Sequence, residues 1–385
     1  MFKRITCFVM TIFLILGATA CKKKKEPEIP SMRYVEEELG KVNELDIPGM
    51  MAVNSQGQAI IQNTASKKPE YLVLGQDGKP VKNIVCDIEG QSRVFTLDSQ
   101  DNIYIVSLIP DENLLQQNIH IADPQGNIKK TIELDKKVQN SDSYNNTITG
   151  ITVDNDGNII LTRMKDNILF LDKDGNEKGT FGEVIYKGTV QADSDNNVIV
   201  YGTRITDYKS VLQKFDPATG KNLWTTIFEP RREEGISIGE GNIIRSDPKD
   251  GYIYLLTGDA IEKFDSMGEH IGKELDFKEQ TVLASGLQPK DFYMGLEDNL
   301  WLLAAESQLS SIPKTEANPD YLPEFSLYRY ALKEITDADL VPINISVPSS
   351  NRLLDVAISK FNKANPGYKM IVKEAGTGKR KEYYD

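Results

Sequence analysis

The sequence predicts an all-β chain, a six-bladed β-propeller, followed by an incomplete α/β segment. Two recurrences and one break in pattern predict this. A turn recurs as GQDGK (75–79), DPQGN (123–127), DKDGN (172–176), DPATGK (216–221) and DSMGE (265–269), and its glycines are separated by 48, 49, 45 and 48 residues. A second turn runs ahead of these, as SQGQ (55–58), SQDN (99–102), DNDGN (154–158), SDNN (194–197), DPKDGY (247–252) and LEDN (296–299). After Asp337 the turns stop, and the pattern becomes strand, helix, strand.

Each turn is flanked by apolar or alternating runs, such as IYIVSL, IILT, VIVYG and LWLLA. Asp-Gly and Asn-rich pairs between such runs are hairpin turns, because these residues tolerate positive φ. Two hairpin turns in a period near 48 residues mean about four strands per repeat, which is a propeller blade. Six recurrences of the earlier turn give six blades over 36–338, the last running through SLYRYALKEI (326–335). KVNELDI (41–47) has no hairpin partner nearby, so it is expected to supply an outer strand that closes the ring and protects exposed edges. The repeat resembles six-bladed propellers of the NHL and strictosidine-synthase-like group.

Residues 1–20 carry Lys3 and Arg4, then an apolar run from Ile5 to Leu16, too short to span a bilayer, then small residues: a secretory leader. Ala18-Thr19-Ala20-Cys21 resembles the lipobox of bacterial lipoproteins, which implies cleavage before Cys21, a lipid on its sulfur, and a place on the extracellular face of the cell membrane. The alternative is an ordinary A-x-A cleavage that releases a secreted protein. Lys22 to Lys25 and the polar stretch after them make 21–35 a tether suited to anionic headgroups. Loss of the leader takes the formal net charge from −12 to −14, and an acidic chain without a basic stripe argues against nucleic acid. With Cys7 in the leader and Cys21 lipidated, Cys86 in NIVCDIEG has no disulfide partner and reads as a small buried hydrophobe.

Motifs for catalysis are absent: no HExxH, G-x-S-x-G or paired-Cys motif occurs, and the chain is expected to be no enzyme and to need no cofactor. His120 alternates with Ile119 and Ile121, which places it on a solvent-facing side of a strand; His270 falls in another blade. Asp172, Asp174, Asn176 and Glu183 are spaced like calcium ligands, but Gly175 stands at the fourth loop position instead of the sixth, so a hairpin turn is expected and no metal. Trp224 and Trp301 are expected to pack between blades rather than line a ligand site. GTGK (376–379) lacks the spacing of a phosphate loop.

From 339 onward, Val341 to Val347 alternates as a strand, and Ser349 or Ser350 can cap a helix whose Leu353, Leu354, Ala357, Ile358 and Phe361 share a face. The helix ends at Asn365-Pro366-Gly367, and YKMIVKEA follows as a strand. This β-α-β unit, with Phe361, Lys363, Asn365 and Pro366 in an F-x-K-x-N-P phrase, resembles the opening of extracellular solute-binding proteins of ABC importers, the carbohydrate-binding cluster especially. The resemblance implies a small solute of sugar type, bound only where the full-length binding domain is present, a permease partner, and a ligand cleft at Ser349, Ser350 and Asn351. One such unit buries too little apolar surface to stand alone, so 339–385 is expected to be the start of a solute-binding domain, in the N-terminal part of a longer protein. The expected function is a membrane-anchored solute-binding lipoprotein; the alternative is a surface propeller for interaction or sensing.

Overall fold

A computed structural model describes residues 31–134 except 43, 44, 46, 47, 112 and 113; 147–228; 243–277 except 248; 280; 287–306 except 296–298; 325–335; 341–347; 354, 357, 358, 361; 368–374; and 380–383. Nearly all of it is strand. The first sheet is β2 (Pro48–Val53), β3 (Ala59–Asn63), β4 (Glu70–Leu74) and β5 (Pro80–Val85). The second is β6 (Gln91–Leu97), β7 (Ile103–Asp111), β8 (Leu114–Ala122) and β9 (Ile128–Glu133). A seven-stranded sheet follows, from β10 (Ile148–Val153), β11 (Ile159–Arg163), β12 (Lys165–Leu171), β13 (Glu177–Ala192), β14 (Val198–Arg204), β15 (Ser210–Asp216) and β16 (Lys221–Phe228). Next come β17 (Ile244–Ser246), β18 (Ile253–Leu256), β19 (Ala260–Phe264) and β20 (His270–Asp276). The last sheet of the ring is β21 (Leu287–Met294), β22 (Asn299–Glu306) and β23 (Phe325–Ile335), with β1 (Ser31–Lys41) as its outer strand.

The innermost strands touch in a circle, β2 with β6, β6 with β10, β10 with β13, β13 with β17 and β21 with β2, and the ring closes between β17 and β21 through Arg245 Nε donating to Phe292 O, with β18 also against β21. The fold is a β-propeller. Its apolar clusters lie between neighbouring units, as packing of sheet faces requires. Leu72 and Leu74 of β4 meet Trp301 and Leu303 of β22, and Ile121 of β8 meets Ile159 and Leu161 of β11. Trp301 is thus a packing residue, 2% exposed.

Two expectations are corrected here. Where six separate blades were expected, four sheets are separate and four-stranded, and the third and fourth repeats are joined through β13. This strand pairs with β12 through Glu177–Tyr186 and with β14 through Ile185–Ala192, with register shifts and a positive φ at Lys187 between. Phe170 and Phe181 of the first half pack on Val200 and Phe215 of the second, so the sheet folds over on itself. Gly188 and Gly202 allow the close approach: a Cβ on Gly202 would lie 2.0 Å from Ile185 Cγ2 and 3.1 Å from Gly188 Cα. Second, the outer strand of the last sheet is β1, which ends at Lys41, where the expected segment 41–47 begins; residues 43, 44, 46 and 47 of that segment lie outside the described residues. β1 pairs antiparallel with β23, Tyr34 opposite Leu332 and Glu36 opposite Tyr330, and takes in 31–35 of the expected tether.

The hairpin turns follow one hydrogen-bond plan. In 154–158, Asp154 Oδ1 accepts from the amides of Asp156 (2.9 Å) and Asn158 (2.8 Å), Oδ2 accepts from Asn158 Nδ2 (2.8 Å), and Gly157 sits at φ 82°. This is the three-residue hairpin loop, a type I turn completed by a left-handed residue. Asp98, Asp123, Asp172 and Asp193 repeat the plan.

In the C-terminal part, β24 (Val341–Val347) pairs parallel with β25 (Tyr368–Glu374), and β26 (Arg380–Tyr383) pairs antiparallel with β25. Leu354, Ala357, Ile358 and Phe361 are helical, and Ile358, Met370 and Val372 are buried together.

Candidate functional site

Where they are described, the earlier turns of the repeats follow inner strands, so they gather around one end of the channel. There they enclose a cavity of about 390 Å³ lined by residues from 53–55, 97–101, 153–155, 191–194, 245–247 with Lys249, and 293–295. Ser55, Ser99, Asn155 and Ser194 occupy the second position of their turns and are among its lining residues; Ser55 Oγ donates to Asp101 Oδ2 (2.6 Å) and Asn155 Nδ2 to Ser194 O (3.0 Å). Asp98, Asp101, Asp193 and Asp247 also line it; both oxygens of the first three are engaged, and Oδ1 of Asp247 is. Asp98 and Asp193 cap their own turns, and Asp193 Oδ2 pairs with Lys214 Nζ at 2.7 Å. Asp247 Oδ1 accepts from the Lys249 amide at 2.8 Å. Close to Asp98, burial pushes the Tyr104 phenol up to about 12.

In two turns the left-handed position is held by Asp101 (φ 62°) and Asn196 (φ 63°) in place of glycine. Such residues pay a steric cost of about 1–2 kcal/mol there. Their side chains offset it by reaching the preceding unit: Asp101 accepts from Ser55 N (2.8 Å) and Ser55 Oγ (2.6 Å), while Asn196 Oδ1 accepts from Asn155 N (2.9 Å) and its Nδ2 donates to Asp156 Oδ2 (3.0 Å). These bonds tie the first turn to the second and the third to the fourth at the mouth.

Beneath the mouth, Arg245 of β17 and Asp291 of β21 form a buried pair at 2.8 Å, with 11% and 1% side-chain exposure. Arg245 also donates to the carbonyls of Phe292 (3.1 Å), Ile244 (3.0 Å) and Met51 (3.3 Å), and lies over the Tyr293 ring at 5.4 Å. Asp291 accepts from the amides of Met51 and Phe292, each at 2.7 Å. Burial raises the Asp291 carboxyl above its ordinary value, against the lowering pull of Arg245 and the two amides. The pair links three sheets. It also stands between this cavity and a second one of about 340 Å³ at the other end of the channel, since Arg245 lines the first and Asp291 the second.

Several residues singled out in the sequence lie elsewhere. Cys21, the leader and the tether up to residue 30 fall outside the described residues, as do Ser349, Ser350 and Asn351. His120 is corrected: it is 6% exposed, with Nε2 2.9 Å from Ser107 Oγ and Nδ1 3.0 Å from Thr131 Oγ1, and burial lowers its pKa. Both faces of a blade meet a neighbour, so alternation along β8 does not point His120 at solvent. Ser107 is 0% exposed, which seals this Ser–His contact from any substrate. His270 pairs with Glu262 at 2.9 Å. Trp224 donates to Ser266 O (3.0 Å) of the next unit's turn, in an inter-unit contact. Asp172 Oδ1 accepts from the amides of Asp174 and Asn176 and Oδ2 from Asn176 Nδ2, which hold its carboxyl below the ordinary value, the Asn176 side chain most of all. Among the described residues no group of three His, Cys, Asp or Glu side chains is placed to hold a metal ion. The cavity lining was missed in the sequence, although its signal was there: the earlier turn of each repeat must fall on one face.

No family model matches the sequence, and no curated protein sequence does either. Solved structures resemble it in fold. A luciferin-regenerating enzyme shares 14% identity at a TM-score of 0.49, over 80% of this chain and 98% of its own. A gluconolactonase from Xanthomonas campestris shares 13% at 0.49, over 81% and 99%. A virginiamycin B lyase from Staphylococcus aureus shares 16% at 0.46, over 78% and 100%. At these identities the likeness bears on neither activity nor substrate.

Proposed function

We propose that this chain is a propeller binding module, held at the extracellular face of a membrane through a lipid on Cys21, that takes a small polar molecule into the turn-lined end of its channel. The observation that carries this reading is the convergence of six chain segments, one per repeat, on a single cavity. Its volume, about 390 Å³, is that of a small-molecule site. The reading counts six blade units, two of them sharing β13, in keeping with apolar clusters between all consecutive units. Serine hydroxyls and the Asn155 and Gln191 amides among the lining residues favour recognition by neutral hydrogen bonding, and the lack of any His or Cys among the described lining residues favours binding over turnover.

Thermal-shift screening of the full chain against neutral polyols, sugars and amides tests it. A ligand should raise the melting temperature in a concentration-dependent way, and Gln191→Ala or Ser246→Ala at the cavity wall should abolish the response. If no such compound shifts melting, or if these variants respond as the parent does, the channel mouth is not the site.

The parallel pairing of β24 with β25 favours a second reading. In it the chain is a solute-binding lipoprotein of an ABC importer, with Ser349, Ser350 and Asn351 at the cleft for a sugar and a permease as partner. Ligand protection confined to 341–383 would select that reading.

A further inference from the structure

The cavity at the opposite end of the channel differs in chemistry. Pro48, Met50, Ile243 and Phe325 give it apolar walls, and two cations, Arg93 of β6 and Lys290 of β21, stand at its edge. Both side chains are exposed. Neither makes an ion pair or a side-chain hydrogen bond among the described residues, in a chain of net charge −12 where Lys68, Lys130, Arg163, Arg204, Lys214 and Lys263 are all paired. Asp291, the one acid among the lining residues, does not neutralise them. It is 1% exposed, with Oδ1 held by Arg245 and the Phe292 amide and Oδ2 by the Met51 amide. Gln62 is likewise committed, with Nε2 donating to Ser92 O at 2.7 Å.

We infer that this end of the channel binds a small monocarboxylic acid, its carboxylate between Arg93 and Lys290 and its apolar body against Met50, Ile243 and Phe325. Two unpaired cations beside apolar walls match an anion with a hydrophobic body better than a compact, heavily hydrated one. The negative field of the chain as a whole favours a single charge over a double one. The site is separate from the turn-lined cavity, because the Arg245–Asp291 pair stands between them.

Isothermal titration calorimetry on the full chain tests the inference, with benzoate as probe, benzamide as its uncharged counterpart and inorganic phosphate as the compact anion. Benzoate should bind at one saturable site, with benzamide and phosphate each at least about tenfold weaker. Arg93→Gln and Lys290→Gln should each weaken benzoate by about tenfold, and added salt should weaken it further. Both side chains are exposed, so these variants should melt with the parent, and Gln191→Ala at the other end should bind benzoate as the parent does. Equal binding of benzoate and benzamide, no saturable binding, tighter binding of phosphate, or unchanged affinity in both charge variants would overturn the inference.

Discussion

Replacing Arg245 by Met removes the buried partner of Asp291 while keeping most of the side-chain volume. The carboxyl group stays 1% exposed and retains only the two amide donors, from Met51 and Phe292. Three backbone carbonyls, of Met51, Ile244 and Phe292, lose a donor as well. Removing one member of such a pair costs about 3–5 kcal/mol, because the cost of an uncompensated buried charge replaces the pair. That is a large fraction of a typical net stability of about 5–15 kcal/mol. The loss has a pH signature. Asp291 is raised by burial, and Arg245 is the strongest opposing influence, so the variant's carboxyl rises further. A carboxyl with a folded pKa above its unfolded value of about 3.9 binds more protons in the folded state, so stability falls as pH rises through that interval and is flat above it. The parent and the variant fall together from about pH 4, so the deficit of Arg245→Met should widen only above the parent's own raised Asp291 value and level off once pH passes the variant's still higher one. Adding Asp291→Asn to the variant should restore about 1–2 kcal/mol at neutral pH, since the charge is gone while an amide oxygen still accepts. Urea unfolding of the full chain at several pH values reads all three quantities. A loss below about 1 kcal/mol, as for a surface pair, a deficit that ignores pH, or no rescue by Asp291→Asn would refute the reasoning.

Two further outcomes are expected. Gly157→Ala and Gly175→Ala both place a Cβ at positive φ, 82° and 89°, but only the second drives it to 2.4 Å from Ile132 Cγ2 of the preceding unit, whereas at Gly157 the nearest atom is Lys173 Cβ at 3.5 Å. Gly157→Ala should cost about 1–2 kcal/mol and Gly175→Ala about 1–3 kcal/mol more, read from urea midpoints. Burial lowers the pKa of His120, so the unfolded chain binds its proton first, and the His120 contribution to stability is lost as pH falls from about 6.5 through the lowered value. His120→Gln, which can still bond Ser107 or Thr131, should show a shallower fall over that interval in the same assay.

The repeat was legible because its turns are local. Each Asp, its following amides and the left-handed residue lie within five positions, so spacing and residue type report the hairpin directly. What went unread depends on distant partners. Nothing in SMRYVEEELGK marks it as a strand beyond its length, since its pairing is with β23, and Arg329 reaches Glu37 from 292 residues away. The continuity of β13 left one trace, the 45-residue spacing from Gly175 to Gly220, the shortest of the four. No loop was needed there. Arg245 and Asp291 carry no motif, because they meet only when the ring brings β17 beside β21 and β2.

Amide hydrogen exchange on the full chain, with and without the first polar ligand that raises its melting temperature, tests the central claim most directly. The account predicts slowed exchange in the segments at the turn-lined mouth, 53–55, 97–101, 153–155, 191–194 and 245–249, with 341–383 unchanged. Protection confined to 341–383, with the mouth unaffected, would contradict it and move the binding function to the C-terminal sheet.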